Sequence, residues 1–328
     1  MSNNMRVVLS ALLALCVTGA LGPLVIPALR KLKFGQSILE EGPSWHKSKQ
    51  GTPTMGGLLF SAGIVVAFGV CAFSFYTAGS VKAALALGLG LVFGLIGFCD
   101  DFIKVVKKRN LGLTAWQKIV LQFLAGAGFL ILLAARGEFS TAIPIPFTET
   151  SLELGFFAYI LALFLIVGMV NAANLTDGID GLDASVTVPV AGFFLLAASQ
   201  RGAEDVRVLA AALIGGMIGF LIFNFHPAKV FMGDTGSLFI GGITVGMAFV
   251  LDMPYLILLA GLVYLLEALS VILQVLVFKL THKRIFKMAP IHHHFEMCGW
   301  SEVKIVYVFT TVSLVGCVLA YLLSCGLQ

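Results

Sequence analysis

The chain has 328 residues, of which 59% are hydrophobic and 12% are charged, and its mean hydropathy is +1.00. Soluble globular domains carry about 25% charged residues, so the composition excludes that class and predicts a protein with many membrane spans. The net charge of +4 is small for so long a chain and does not suggest nucleic-acid binding.

Ten apolar runs approach or reach the roughly 17 to 25 residues that a helix needs to cross a bilayer. They predict an all-α bundle of about ten transmembrane helices that forms a single domain over residues 1–328. Two of the runs, 184–199 and 237–251, are short and contain proline or glycine. The runs lie near residues 5–29, 56–76, 83–99, 117–135, 154–173, 184–199, 208–225, 237–251, 254–278 and 304–325.

Lysine and arginine are concentrated in alternate loops. Segments 30–55, 100–118, 226–236 and 279–304 hold 16 of the 21 basic side chains. Basic loops are retained in the cytoplasm, so we expect these loops, together with the acidic loop 174–183, on the cytoplasmic side. An even number of spans then puts both termini on the extracytoplasmic side.

Asp100 and Asp101 stand side by side where the third apolar run ends and a basic segment begins. Adjacent carboxylates repel each other, and a bound cation or a metal–phosphate complex is the simplest reason to keep both. This pair therefore predicts metal-dependent phosphate chemistry at a membrane surface.

A second acidic segment, 171–183, follows the fifth run and contains Asp177, Asp180 and Asp183 together with two glycines. These residues provide oxygen ligands and backbone freedom, as a loop that holds Mg²⁺ or a sugar phosphate requires. The alternative is a solvated turn in which an aspartate caps a helix. The ligand spacing of an EF-hand is absent.

A third polar segment, 224–237, places Asp234 between two glycines at the start of a span. Free backbone N–H groups and a carboxylate can there meet a metal-bound phosphate together, although Asp234 could instead only cap the helix. Phe231 is either a platform on which a base stacks or an ordinary aromatic at the membrane boundary.

His292, His293 and His294 follow one another in a basic loop. Neighbours on a regular helix differ by about 100° in direction, so the three rings cannot all face one ion. The run therefore favours imidazoles that bind phosphate and donate hydrogen bonds over a zinc site.

Glu267 and Gln274 are seven residues apart in the apolar run 254–278 and lie on nearly the same helix face. A carboxylate is costly in lipid, so Glu267 must face the protein interior. We expect an interhelical hydrogen-bonding role for it rather than a catalytic one. Gln274 lies nearer the cytoplasmic end, within reach of a nucleotide.

In their order along the chain, these motifs resemble the phospho-N-acetylmuramoyl-pentapeptide transferase family, which belongs to the polyprenyl-phosphate sugar-1-phosphate transferases. The triple histidine is the sharpest match, because the wider superfamily shares the acidic loops but not that segment. The matching segments are 49–57, Asp100 and Asp101 with Lys104, 174–183, 224–236 and 289–296.

The resemblance implies transfer of phospho-N-acetylmuramoyl-pentapeptide from its UDP conjugate, UDP-MurNAc-pentapeptide, to undecaprenyl phosphate. The products are lipid I and UMP, in the first membrane step of peptidoglycan synthesis. The resemblance also implies Mg²⁺ as cofactor, ten transmembrane helices in the bacterial inner membrane, surrounding membrane lipid, a homodimer, and an active site on the cytoplasmic side.

The resemblance and the chemistry of phosphate transfer together suggest roles for individual residues. Asp234 is the first expected metal ligand, followed by Asp100, Asp101 and Asp177. The expected catalytic residues are Asp100, Asp101, Lys104, Asp234, His292, His293 and His294. The expected substrate-binding residues are Lys49 and Thr54 on the phosphate or sugar–peptide side, Asn174, Asp177, Asp180 and Phe231 on the nucleoside side, and Asn224 and Gln274.

Asp100 could act as a general base toward the lipid phosphate. A phosphate monoester has a second pKa of about 6 and is mostly dianionic at pH 7, and a carboxylate with a pKa of about 4 is a poor acceptor for the remaining proton. We therefore expect Asp100 to position the metal or the acceptor. A covalent phospho-aspartate intermediate is the other mechanism that the residues allow.

Two other functions fit parts of the sequence. A related polyprenyl-phosphate sugar-1-phosphate transferase would keep the acidic loops and use UDP-N-acetylglucosamine as donor. A transporter or flippase would carry its essential carboxylates near the middle of the bilayer, on broken helices, whereas the polar clusters here lie in loops.

Overall fold

The computed structural model describes residues 2–31, 49, 51–77, 80–107, 111–148 and 150–327, with the side chains of 73–77 left out. Most of the predicted loop 30–55 thus lies outside the described residues. The helices are α1 (Asn3–Lys31), α2 (Gly57–Thr77), α3 (Lys82–Val106), α4 (Ala115–Ala135), α5 (Phe156–Thr176), α6 (Leu182–Gln200), α7 (Glu204–Asn224), α8 (Gly233–Val250), α9 (Ile257–Ala260), α10 (Leu262–Thr281), α11 (Ile291–Met297) and α12 (Glu302–Cys325).

Every predicted apolar run coincides with helical structure, and the all-α polytopic membrane bundle is confirmed. Within the described residues, nine helices are long and apolar enough to cross a membrane, and the described apolar part of α2, Gly57–Ala72, is shorter. The two short runs belong to the complete helices α6 and α8. The run 254–278 is divided into a 3₁₀ turn, α9 and α10.

Some predicted loops are partly helical. α3 continues to Val106, about two turns beyond the predicted end of its span, and includes Asp100 and Asp101. Asp100 and Lys104 form an i,i+4 ion pair with 2.6 Å between their oxygen and nitrogen, which supports helix in this polar stretch. The loop 279–304 contains the short helix α11, which the apolar pattern did not predict.

α8 is the most deeply buried of the spans, and 94% of its apolar window is enclosed by other helices. Small residues let it approach α3 closely, because a β-carbon at Gly242 would lie 3.0 Å from Cα of Gly90 and one at Gly246 would lie 2.8 Å from Cα of Ala86. Such glycine contacts allow two helix backbones to pack with little space between them. The end of α3 is thereby held beside the start of α8.

A small antiparallel hairpin connects α4 to α5. β1 (Ala142–Pro144) pairs with β2 (Ser151–Glu153). The Phe147 N–H donates to the carbonyl of Gly326 beyond the end of α12, over 2.8 Å. The hairpin therefore packs at the end of the bundle where α12 finishes, away from the polar loops described below.

Candidate active site

Three carboxylates meet where α3 ends and α8 begins. Asp100, Asp101 and Asp234 each offer one oxygen, and these oxygens all lie within 4.8 Å of one another. Gly97, one turn before the pair, faces the backbone of α8, and a β-carbon there would clash with the carbonyl of Asp234. The absence of a side chain at Gly97 therefore allows the two helix ends to bring their acids together.

Replacing Gly97 with alanine is expected to lower activity by at least about tenfold, since the clash is with backbone that cannot rotate away and a displacement of about 1 Å in a site is costly. Gly88 on the same helix is the matched control, because a β-carbon there meets nothing within 4 Å. UMP release by both alanine variants is the measurement. Equal activity of the two variants would contradict the proposed role of the α3–α8 contact.

Asp101 caps the start of α8 from a neighbouring helix. Its Oδ2 accepts hydrogen bonds from the Thr235 N–H over 2.9 Å and from the Thr235 hydroxyl over 2.7 Å. The φ of Gly233 is +70°, and a β-carbon there would lie 2.6 Å from both Asp101 Oδ2 and Thr54 Oγ1. The side chain that caps this helix is thus Asp101, and Asp234 is left to face the neighbouring lysines.

The ammonium group of Lys104 lies among the three carboxylates. Its Nζ is 2.6 Å from Asp100 Oδ2, 3.1 Å from Asp234 Oδ2 and 3.6 Å from Asp101 Oδ1. Lys118 Nζ lies 2.9 Å from Asp234 Oδ2. Three negative charges thus face two positive ones. A set of carboxylate oxygens with this spacing suits a hard divalent cation such as Mg²⁺.

Asp100 is also bound by the turn between α3 and α4. Its Oδ1 accepts from the Leu113 N–H over 2.8 Å, and a β-carbon at Gly112 would lie 2.6 Å from its carboxyl group. One oxygen is therefore committed to backbone, while the other faces Lys104. The twin aspartates, adjacent in sequence, have different surroundings.

Asn174, at the end of α5, orients Asp234. Its Nδ2 donates to Asp234 Oδ1 over 2.9 Å and to Ser237 Oγ over 2.8 Å, and its Oδ1 accepts from Lys118 Nζ over 3.5 Å. The sequence predicted Asn174 but missed Lys118 and Ser237. Lys118 could have been found as the last basic residue of segment 100–118; Ser237 carries no sequence signal that distinguishes it from a packing residue.

Asp177 follows α5 and lies near both groups of acids. Burial raises the pKa of its carboxyl well above the usual range, and the charges of Asp183, Asp234, Asp101 and Asp180 raise it further. Among the described residues it is not a member of the three-carboxylate cluster. Its role as a metal ligand stays a prediction.

A second charged group joins four separate segments. Lys49 Nζ lies 2.7 Å from Asp180 Oδ1 and 2.6 Å from Glu302 Oε2. The other oxygen of Asp180 accepts from the Ala228 N–H over 2.9 Å and lies 3.1 Å from His226 Nδ1. Asp180 and Lys49, both predicted site residues, are thus partners. Glu302 and His226 were missed, because single polar residues at loop ends are common.

Backbone pairing holds the segment after Lys49 against the loop that precedes α8. The Phe231 N–H donates to the Pro53 carbonyl over 2.9 Å, and the Gly56 N–H donates to the Phe231 carbonyl over 2.8 Å. Asn224 is buried and uses its amide to join the Gly181 N–H and the Val230 carbonyl. The backbone of Phe231 is thus held by the segment after Lys49, and the side chain of Asn224 joins the loop before α6 to the loop before α8.

The three consecutive histidines have three different surroundings. His292 is fully buried, with Nδ1 3.1 Å from Glu267 Oε2. His293 Nδ1 lies 2.5 Å from Glu296 Oε2. His294 lies on another face of α11, and none of the three belongs to a three-ligand cluster among the described residues. This divergence is what a rotation of about 100° per residue requires.

Gln274 anchors the loop that leads to α11. Its Oε1 accepts from the N–H groups of Ile285 and Phe286 over 3.1 and 2.9 Å, and its Nε2 donates to the Phe286 carbonyl over 3.2 Å. Both polar atoms of the Gln274 amide are therefore bonded to backbone groups. The Lys287 N–H donates to His294 Nδ1 over 3.1 Å. A contact of Gln274 with a nucleotide stays a prediction.

Comparison with known proteins shows the family of this chain. Residues 83–252 match glycosyl transferase family 4, and residues 49–60 match phospho-N-acetylmuramoyl-pentapeptide-transferase signature 1. The chain is 47% identical over 307 residues to the phospho-N-acetylmuramoyl-pentapeptide-transferase of Geobacillus sp. (strain WCH70), with 94% of each chain covered. The chain belongs to the phospho-N-acetylmuramoyl-pentapeptide-transferase family.

Other members of the family are similarly close. The transferase of Clostridium perfringens (strain SM101 / Type A) is 46% identical over 318 residues, with 96% of each chain covered. That of Bacillus thuringiensis (strain Al Hakam) is 47% identical over 300 residues, covering 91% of this chain and 92% of the relative. The family matches include the three carboxylates and Lys49, whereas the triple histidine lies outside both matched ranges.

Proposed function

We propose that this chain transfers phospho-N-acetylmuramoyl-pentapeptide from UDP-MurNAc-pentapeptide to undecaprenyl phosphate, which gives lipid I and UMP. The observation that carries the proposal is the position of Lys104 Nζ among Asp100, Asp101 and Asp234. These three carboxylates, at the end of α3 and the start of α8, could hold a metal ion. The family, whose members are named for this reaction, supplies the substrates.

Asp234, Asp100 and Asp101 would hold Mg²⁺. When bound there, the ion would offset the charge of a diphosphate and polarise its oxygens. Asn174 keeps Asp234 oriented through Oδ1, so that Oδ2, which faces Lys104 and Lys118, would be the oxygen available to a cation. Lys104 and Lys118 provide point charges for the phosphates of the donor and the acceptor.

Asp100 positions groups in this reaction and does not remove a proton. Its Oδ1 is occupied by the Leu113 N–H and its Oδ2 by Lys104, and a phosphate acceptor is already mostly dianionic at pH 7. A phospho-aspartate is the competing mechanism. Incubation with the UDP donor alone, without lipid acceptor, should release no stoichiometric burst of UMP; a burst would favour the covalent route.

The site faces the cytoplasm in this proposal, and both termini lie outside. The support is the concentration of 16 of the 21 lysines and arginines in the alternate segments 30–55, 100–118, 226–236 and 279–304 of the sequence. The protein is a multi-pass membrane protein, which we assign to the bacterial inner membrane. We also propose that the protein is a homodimer, as the family resemblance implies. The mass of the protein in a detergent of known micelle size tests this proposal.

The decisive experiment measures Mg²⁺-dependent UMP release in detergent, with UDP-MurNAc-pentapeptide and undecaprenyl phosphate. A parallel reaction with UDP-N-acetylglucosamine separates this activity from that of a related sugar-1-phosphate transferase. Activity only with the second donor would overturn the proposed substrate, and substrate movement without UMP release would indicate a transporter.

Asp180 tests the side on which the donor nucleotide binds. Replacing it with alanine is expected to raise KM for the UDP donor more than it lowers kcat, because loop 177–180 belongs to the proposed nucleoside side. The variant also removes one of the two carboxylates that contact Lys49, the other being Glu302, so its melting temperature should be measured with its kinetics. A donor KM equal to that of the wild type would remove Asp180 from the nucleotide pocket.

A further inference from the structure

Glu267 and His292 are in contact at the interface of α10 and α11. Neither side chain has any exposed surface, and Nδ1 of His292 is 3.1 Å from Oε2 of Glu267. The contact is not aligned as a hydrogen bond, and the ring and the carboxylate have no other hydrogen-bonding partner among the described residues. Burying two such groups costs free energy. Stability alone therefore gives no reason to keep them.

The opposite edge of the His292 ring rests on the acidic loop. A β-carbon added to Gly178 would clash with Nε2 of His292. Gly178 is not among the residues with positive φ, so its backbone conformation does not require glycine. Space for the imidazole is what excludes a side chain at this position.

The contact connects three segments that are far apart in sequence. Glu267 belongs to the span α10, His292 to the short helix α11, and Gly178 to the loop between α5 and α6. Asp177 precedes Gly178 and interacts electrostatically with Asp101 and Asp234 of the cluster, while Asp180, two residues after Gly178, contacts Lys49. A displacement of the ring would therefore move the two aspartates relative to the cluster.

We propose that Glu267 is a positioning residue that holds the His292 ring against Gly178 and so sets the place of loop 177–180. This inference rests on the proposed function and deepens it, because the loop lies on the donor side. His292 acts from beneath the site, since it has no exposed surface with which to contact a phosphate. Its role thus differs from that of His293, whose side chain is 14% exposed.

The first experiment compares Glu267→Leu with Glu267→Gln. Leucine removes the carboxylate beside the ring, and KM for the UDP donor should rise about 10- to 100-fold, because a misplacement of about 1 Å in a site can cost about 100-fold. KM for undecaprenyl phosphate should change by less than about threefold. On the free-energy scale this is less than half of the smallest change expected for the donor KM, which is about tenfold. Glutamine keeps an oxygen beside Nδ1 and should restore most of the donor KM.

A control separates positioning from general destabilisation. Ser313 is another buried polar residue in a span, and it donates to the Val186 carbonyl over 3.0 Å. Ser313→Ala should lower the melting temperature without raising the donor KM selectively. If Glu267→Leu raised both KM values equally, or if glutamine restored nothing, the proposal would be overturned.

The second experiment tests the contact of the ring with the loop. Gly178→Ala should lower kcat/KM by at least about tenfold in the wild-type background, and it should have little further effect when combined with His292→Ala, which removes the clash. The melting temperatures of the wild type, the two single variants and the double variant should show the same non-additivity: Gly178→Ala should lower the melting temperature of the wild type but have little effect on that of His292→Ala. Independent effects of the two substitutions would overturn the inference.

The two experiments also distinguish this inference from the proposed function. A wild-type protein without UMP release would refute the function, while the melting-temperature cycle of Gly178 and His292 would still report on the contact. If Glu267→Leu does not fold, the glutamine variant and the glycine cycle decide the question. Normal UMP release together with independent effects would refute only the inference.

Discussion

Replacement of Asp234 by asparagine is expected to lower the rate of UMP release by about 10³-fold or more. Asp234 is the carboxylate that Lys104, Lys118 and Asn174 all contact, and asparagine removes its charge while it keeps its shape. A metal ion contributes several kcal/mol to such a transition state, and each 1.36 kcal/mol is about a factor of ten in rate.

The matched control for Asp234→Asn is Asp252→Asn. Asp252 is an exposed aspartate that follows α8 directly, at the end of this helix opposite the cluster. Its replacement should leave UMP release unchanged. Removal of divalent ions with EDTA should reproduce the Asp234→Asn loss in the wild-type protein, and added Mg²⁺ should reverse it. Wild-type rates in the asparagine variant would exclude Asp234 as a ligand.

Lys104→Met is expected to strengthen the binding of a divalent cation while it lowers activity. The ammonium group occupies the oxygens that the cation would use, so the two compete, and methionine keeps the length of the side chain without its charge. We expect the affinity for Mn²⁺, without substrate, to rise about tenfold, equivalent to about 1.4 kcal/mol. UMP release should fall by about 10²-fold, since a phosphate-binding charge is lost.

Binding of Mn²⁺ followed by electron paramagnetic resonance or calorimetry measures the first effect directly. Lys118→Met is the comparison variant, because its ammonium group contacts Asp234 alone among the three carboxylates. Its gain in Mn²⁺ affinity should be smaller than that of Lys104→Met. An unchanged or weaker Mn²⁺ affinity in Lys104→Met would show that the lysine does not compete with a cation.

The bundle and the family could largely be predicted before the structure. Apolar runs long enough to cross a bilayer have almost one structural solution, since every backbone group must be paired within the span. Asp100, Asp101 and Asp234 were recognisable because carboxylates at the end of such runs need a reason to be there. The order of the motifs also indicated the family, which the comparisons confirmed.

Partners of the predicted residues were harder to find. Lys118, Glu302 and His226 take part in the two charged groups, yet each is an ordinary polar residue in its own segment. The sequence suggested that Asp180 and Lys49 both bind the substrate, which stays a prediction, but it did not indicate that they contact each other. Such pairings depend on two segments at once, and the pattern of either segment alone does not contain them.

The amino-acid sequence by itself indicated that this protein lies in a membrane with about ten spans, and which acids and histidines are unusual. These are local properties, because the cost of placing a side chain in lipid and the length of an apolar run are set residue by residue. Only the tertiary structure decided that Gly97 lets α3 meet α8, and that Glu267, His292 and Gly178 form one chain of contacts. Those facts depend on how closely helices pack, which is a property of pairs of backbones and not of any single segment.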